Sequence, residues 1–142
     1  MVACKVKNMI YVCKVIEMRK ELPELLLELK KIHDEHCTTR SKIYIEPKAS
    51  GLDIINTLRR ETSFNVVKDT TLTALKGAND KISRVHNVAP SIESERVILK
   101  QGHYIENFLN QCASFPNAKN DDMVDTLVMA CKNYLRPSLK LK

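Results

Sequence analysis

Short runs rich in β-branched residues alternate along this chain with longer segments of helical spacing. That alternation constrains the fold more than any other feature, because it indicates helices layered on a mainly parallel sheet. Residues 9–18, Met-Ile-Tyr-Val-Cys-Lys-Val-Ile-Glu-Met, read as a strand buried on most of its surface. Glu21-Leu22-Pro23-Glu24 then opens a helix, since Pro and acidic residues suit a first turn. Its apolar face is Leu25, Leu26, Leu29 and Ile32, with Lys30 and Lys31 toward the end where cations are favoured.

Ile43-Tyr44-Ile45 is a short strand that stops at Glu46-Pro47, and Leu52 to Leu58 follow as a helix. Asn65-Val66-Val67 read as a strand, residues 68–79 as a loop, and Lys81 to Asn87 as a helix. Arg96-Val97-Ile98-Leu99 is a further strand, and Ile105 to Ala113 a helix. Asp121 to Leu135 form the last helix, with Val124, Leu127, Val128 and Cys131 on one side and Pro137 closing it. The predicted order is β–α–β–α–β–α–β–α–α in a single domain over residues 1–142, with a frayed basic tail from Ser138.

At 44% hydrophobic and 28% charged residues, the chain can build a core and is not a disordered polyelectrolyte. Its net charge of +6 favours polyanionic partners. No apolar run approaches the roughly 20 residues of a membrane span, and nothing at the start reads as a signal peptide. The expected setting is cytoplasmic, with Cys4, Cys13, Cys37, Cys112 and Cys131 as reduced thiols, since their number is odd and no pair is spaced as CxxC.

Three features bear on chemistry. Glu46 closes a strand, and in open α/β sheets sites form just beyond the carboxyl ends of strands. The bland alternative is a solvated strand-end acid. Asp121, Asp122 and Asp125 crowd a helix start. One Asp suffices to cap free amides, whereas three like charges call for a cation, and hard ions such as Mg²⁺ or Mn²⁺ choose carboxylate oxygens. Lys81 and Arg84 lie one turn apart on a helix, as a phosphate contact or merely a solvated basic face. His33-Asp34-Glu35-His36-Cys37 lacks the second ligand pair of a structural zinc site. There is no GxxxxGK[ST] and no GxSxG.

The order of these segments is itself informative: Ile43-Tyr44-Ile45-Glu46-Pro47-Lys48-Ala49-Ser50-Gly51, Ala78-Asn79-Asp80-Lys81-Ile82-Ser83-Arg84, Pro90, Arg96-Val97-Ile98-Leu99, Phe115-Pro116 and Asp121-Asp122-Met123-Val124-Asp125-Thr126-Leu127. Over about residues 9–135 the chain resembles the C-terminal nuclease domain of the large terminase subunit of tailed bacteriophages. The resemblance implies an RNase H-like three-layer α/β fold with a central mixed sheet flanked by helices, its first strand missing from this chain together with the first metal-binding Asp and the ATPase half. It implies a two-metal endonuclease that cuts concatemeric viral DNA during genome packaging, with Mg²⁺ or Mn²⁺ as cofactor. Glu46, Asp121 and Asp122 match the catalytic, metal-holding acids, with Asp125 a further metal ligand. Lys81 and Arg84 match a DNA-contacting Lys-x-x-Arg segment. Implied partners are double-stranded DNA, the phage portal and the small terminase subunit, in a bacterial host carrying phage or prophage. With the first-strand Asp absent, the chain is expected to be catalytically incomplete. Another RNase H-like nuclease or resolvase, or a non-catalytic DNA- or portal-docking module, are the alternative readings.

Overall fold

The computed structural model describes residues 1–72 and 80–135. The element order is β1 (Val2–Val6), β2 (Met9–Lys14), α1 (Leu22–His36), β3 (Lys42–Ile45), α2 (Gly51–Glu61), β4 (Asn65–Lys68), α3 (Asp80–Glu93), β5 (Val97–Leu99), α4 (Ile105–Ser114) and α5 (Asp122–Tyr134). Much of the loop expected at 68–79, Ala78 and Asn79 of the resemblance, Pro137 and the basic tail lie outside the described residues. The described chain falls into two compact units. One holds residues 1–17 and the segment from α3 to α5; the other runs from Met18 through β4.

In the first unit β1 and β2 form an antiparallel hairpin, Val6 facing Met9 across a turn at Lys7-Asn8 where Lys7 takes φ 54°. A two-residue hairpin loop needs such left-handed backbone to match the strand twist. The strand expected at 9–18 is therefore shorter, ends at Lys14, and has a partner ahead of it that was not foreseen. β2 also pairs in parallel with β5, Ile10 against Val97 and Val12 against Leu99. The three strands make a mixed sheet in the order β1-β2-β5.

Ile10 and Val12, two residues apart on one face of β2, are fully buried. α5 contacts β2 and buries Met123, Val124, Leu127, Val128 and Cys131 on the side expected from their spacing. α3 and α4 both pack on α5 and add Val88 and Phe108 to this core. α3 runs past the expected end at Asn87 and continues through Pro90 to Glu93. Pro90 has no N–H for the His86 carbonyl, but His86 is exposed and water can serve it.

In the second unit β3 and β4 form a two-stranded parallel sheet, Ile43 beside Val66 and Ile45 beside Lys68. The Asp69 N–H extends the ladder by donating to the Ile45 carbonyl at 2.9 Å. α2 lays Ile54, Ile55 and Leu58 against Val66, with Leu22, Leu25, Leu26 and Leu29 of α1 packed on the same cluster. Arg59 ties α2 to β4, its guanidinium reaching the Val66 carbonyl at 2.9 Å. His33 stacks on Phe64 with ring centroids 3.7 Å apart, which gives the His-rich end of α1 a packing role.

Candidate functional site

Glu46 follows β3 directly, and the turn behind it is tightly built. The Gly51 N–H donates to the Lys48 carbonyl at 2.8 Å, starting α2. Gly51 lies so close that a Cβ there would run into the Glu46 carbonyl oxygen. The Glu46 side chain is 25% exposed, with its Oε1 turned inward. Lys48 Nζ stands 2.8 Å from that oxygen as an ion pair. The charge is thus balanced by a neighbour that is itself well exposed, while the oxygen keeps unused acceptor capacity.

The acidic cluster of the first unit is organised differently from a simple helix cap. Asp121 precedes α5 but makes no side-chain cap bond. The amide of Met123 in the first turn is instead served by Gln111 of α4, a buried side chain whose Oε1 accepts at 3.3 Å. Relieved of capping, the Asp121 carboxylate pairs with the Lys81 ammonium from α3. The same ammonium lies 3.2 Å from Asp125 Oδ2. Asp121 and Asp125 are four residues apart and share a face across the helix start; Asp122 is exposed. The pair brought together on one cation is therefore Asp121 and Asp125.

Burial works to lower the Lys81 pKa, but the hydrogen bonds that Lys81 donates to Asp121 and Asp125, with their charges, outweigh it and hold the ammonium above its ordinary value. Asp125 is pushed up by burial, against the pull of Lys81 and, more weakly, of Arg84. Arg84 is 7% exposed. Both residues expected to grip DNA thus lie inside the electrostatics of α5: Lys81 bonded to its acids and Arg84 buried within range of Asp125. Glu17 shares a shallow hollow with Asn110, Lys119 and Asn120.

Asp121 and Asp125 suit a hard divalent cation, because their two carboxylates already converge on a positive charge. Among the described residues no three His, Cys, Asp or Glu side chains are grouped to hold an ion together. Glu46 and the α5 acids belong to different units, each with its own neighbours.

A family model for the terminase RNaseH-like domain matches residues 2–133, nearly the whole chain. The chain belongs to the terminase RNaseH-like domain family. Its α/β architecture, a mixed sheet with helices, is that of an RNase H-like domain. No curated protein and no solved structure gives a significant match. Family membership supports a terminase nuclease-like domain with DNA and the packaging machinery as its general setting. No helix among the described residues is long and apolar enough to cross a membrane.

Sequence reasoning missed one residue that shapes this site, and did not single out which two acids pair. Gln111 reads as an ordinary polar position of α4, and nothing local marks it as buried. The pairing of Asp121 with Asp125 was open to reading, because i and i+4 share a helix face and i+1 does not.

Proposed function

We propose that this terminase RNaseH-like domain is a metal-dependent DNA endonuclease of viral genome packaging, with Asp121 and Asp125 as ion-holding carboxylates and Glu46, in the other unit, as a separate candidate acid. The observation that carries the reading is the convergence of Asp121 and Asp125 on one cationic group, the Lys81 ammonium. A divalent ion, Mg²⁺ or Mn²⁺, would polarise a phosphodiester oxygen and lower the pKa of an attacking water. The chain's own contribution is to fix the carboxylates. Gln111 keeps Asp121 free of the helix amides, Lys81 and Arg84 offset the charge at Asp125, and the Gly51 turn sets the backbone of Glu46. Asp122, exposed beside this pair, is a further ligand open to solvent.

Double-stranded DNA is the proposed substrate. The net charge of +6 supports weak, salt-sensitive affinity without sequence preference. The portal and the small terminase subunit are the proposed partners, with phage or prophage in a bacterial host as the source.

A plasmid-nicking assay in Mn²⁺ with Glu46→Ala and Asp125→Asn tests the reading. Cleavage should fall about 10²–10³-fold in each, the usual loss for one catalytic interaction. Cleavage that neither substitution changes would remove these carboxylates from the mechanism.

A further inference from the structure

Lys81 puts a positive charge where the proposed ion would bind. Its ammonium bonds Asp121 Oδ2 and lies 3.2 Å from Asp125 Oδ2, so it fills the space between the two carboxylates. Its side chain is only one-third exposed, and those of Asp121 and Asp125 about one-quarter or less. This is a partly desolvated triad, in which a charge is felt more strongly than on an open surface. The two acids together carry −2, Lys81 returns +1, and Arg84 adds a weaker positive field at Asp125. A divalent ion between the same oxygens would sit against the ammonium, and like charges at that distance repel strongly.

We propose that Lys81 is a built-in counter-ion that competes with the divalent cation for Asp121 and Asp125. Ion and ammonium exclude each other there. The metal-free pair is thereby kept partly neutralised and ordered, and α3 is pinned to the start of α5. Ion entry releases Lys81 into solvent, where its charge becomes available to a phosphate backbone. The DNA-contacting role expected for Lys81 is thus conditional on metal loading. This inference rests on the reading of Asp121 and Asp125 as ion ligands.

Two measurements test it on the full chain. The first is Mn²⁺ affinity, followed by electron paramagnetic resonance, for the wild type, Lys81→Met and Asp125→Asn. Lys81→Met should bind Mn²⁺ about tenfold more tightly, and Asp125→Asn more weakly than the wild type. The second is acetylation of Lys81 in the wild type, quantified by mass spectrometry with and without Mn²⁺ against exposed Lys100. Labelling of Lys81 should rise several-fold with Mn²⁺ and that of Lys100 should not.

Equal or weaker Mn²⁺ binding by Lys81→Met, while Asp125→Asn still loses it, would overturn the competition and leave the site standing. Asp125-independent binding, or no binding by any protein, would overturn the site and the competition together. If Lys81→Met does not fold, the wild-type labelling decides alone: Mn²⁺ binding without a change at Lys81 sinks the proposal.

Discussion

Arg96 closes the β1–β2 hairpin from a distance of 88 residues along the chain. Its Nε donates to the Asn8 carbonyl at 3.0 Å, its Nη2 bonds the Asn8 side-chain oxygen, and its Nη1 donates to Ser91 Oγ at 3.3 Å. The guanidinium is 8% exposed and joins the turn to the end of α3. Arg96→Met should therefore cost about 1–3 kcal/mol, because it loses the hydrogen bonds that a buried charged group makes to the turn and to α3. Arg96→Lys should recover only part of this, since a point charge cannot fork to three acceptors. Urea denaturation of both variants gives the comparison; a loss below about 0.5 kcal/mol for Arg96→Met would deny the clamp.

Arg96 is delivered by a helix-ending turn. The Arg96 N–H donates to the Ser91 carbonyl at 3.1 Å and the Glu95 N–H to Ile92 at 2.9 Å, with Glu95 at φ 56°. This is the paired 6→1 and 5→2 pattern in which glycine is the usual left-handed residue. Glu95 is exposed and does this without glycine's freedom. Glu95→Gly should raise stability by about 0.5–1 kcal/mol, against the ordinary cost of a glycine. A lower melting temperature would show that the strain is absent.

The reverse sign is expected at Gly51. Alanine within a helix normally gains about 1 kcal/mol over glycine. Here the added Cβ meets the Glu46 backbone oxygen, which cannot swing aside as a side chain can. Gly51→Ala should destabilise by about 1–3 kcal/mol. A stabilised Gly51→Ala would show that the Glu46 turn relaxes freely.

Much of this molecule was legible from local pattern. The run Ile43-Tyr44-Ile45 before Glu46-Pro47 is a strand with an acid at its end, and the apolar stripe of α5 falls where its spacing puts it. What was not legible depends on partners far along the chain. β1 is mostly exposed and carries no apolar alternation, so only its pairing with β2 reveals it as a strand. Arg84 looks like a surface cation in sequence, and only the packing of α3 on α5 buries it. Lys81 read as a phosphate contact because its carboxylate partners lie some 40 positions away.

The two aspartates of the first turn of α5 should separate cleanly. Burial raises the Asp125 pKa despite Lys81, so its charge is a net burden on the fold at neutral pH. Asp125→Asn should leave stability within about 0.5–1 kcal/mol of the wild type while weakening Mn²⁺ binding, the signature of a residue kept for function. Asp122→Asn, at an exposed position, should also be stable but should lose less Mn²⁺ affinity. Isothermal titration of both variants makes the comparison, and a larger loss for Asp122→Asn would reverse the assignment of the ion-holding pair.

Cys131 gives the fold an alkaline weakness. Its thiol is 1% exposed on the core face of α5, and burial pushes its pKa from 9.0 up to about 11, against a small opposing pull from Arg96. The unfolded chain ionises this thiol near pH 9, whereas the folded chain holds it neutral. Proton release therefore favours unfolding as pH rises from about 9 to 11. The stability is fully present below the unfolded pKa, and about 2–3 kcal/mol of it is lost across that window. Tyr104 and Cys112 are also raised by burial and add their own losses, so the Cys131 share is read by difference. Urea midpoints at pH 8, 9, 10 and 11 for the wild type and Cys131→Ala provide it. The variant should start less stable, from the cavity, and decline less steeply above pH 9. Parallel curves would mean that the Cys131 thiol ionises alike in both states.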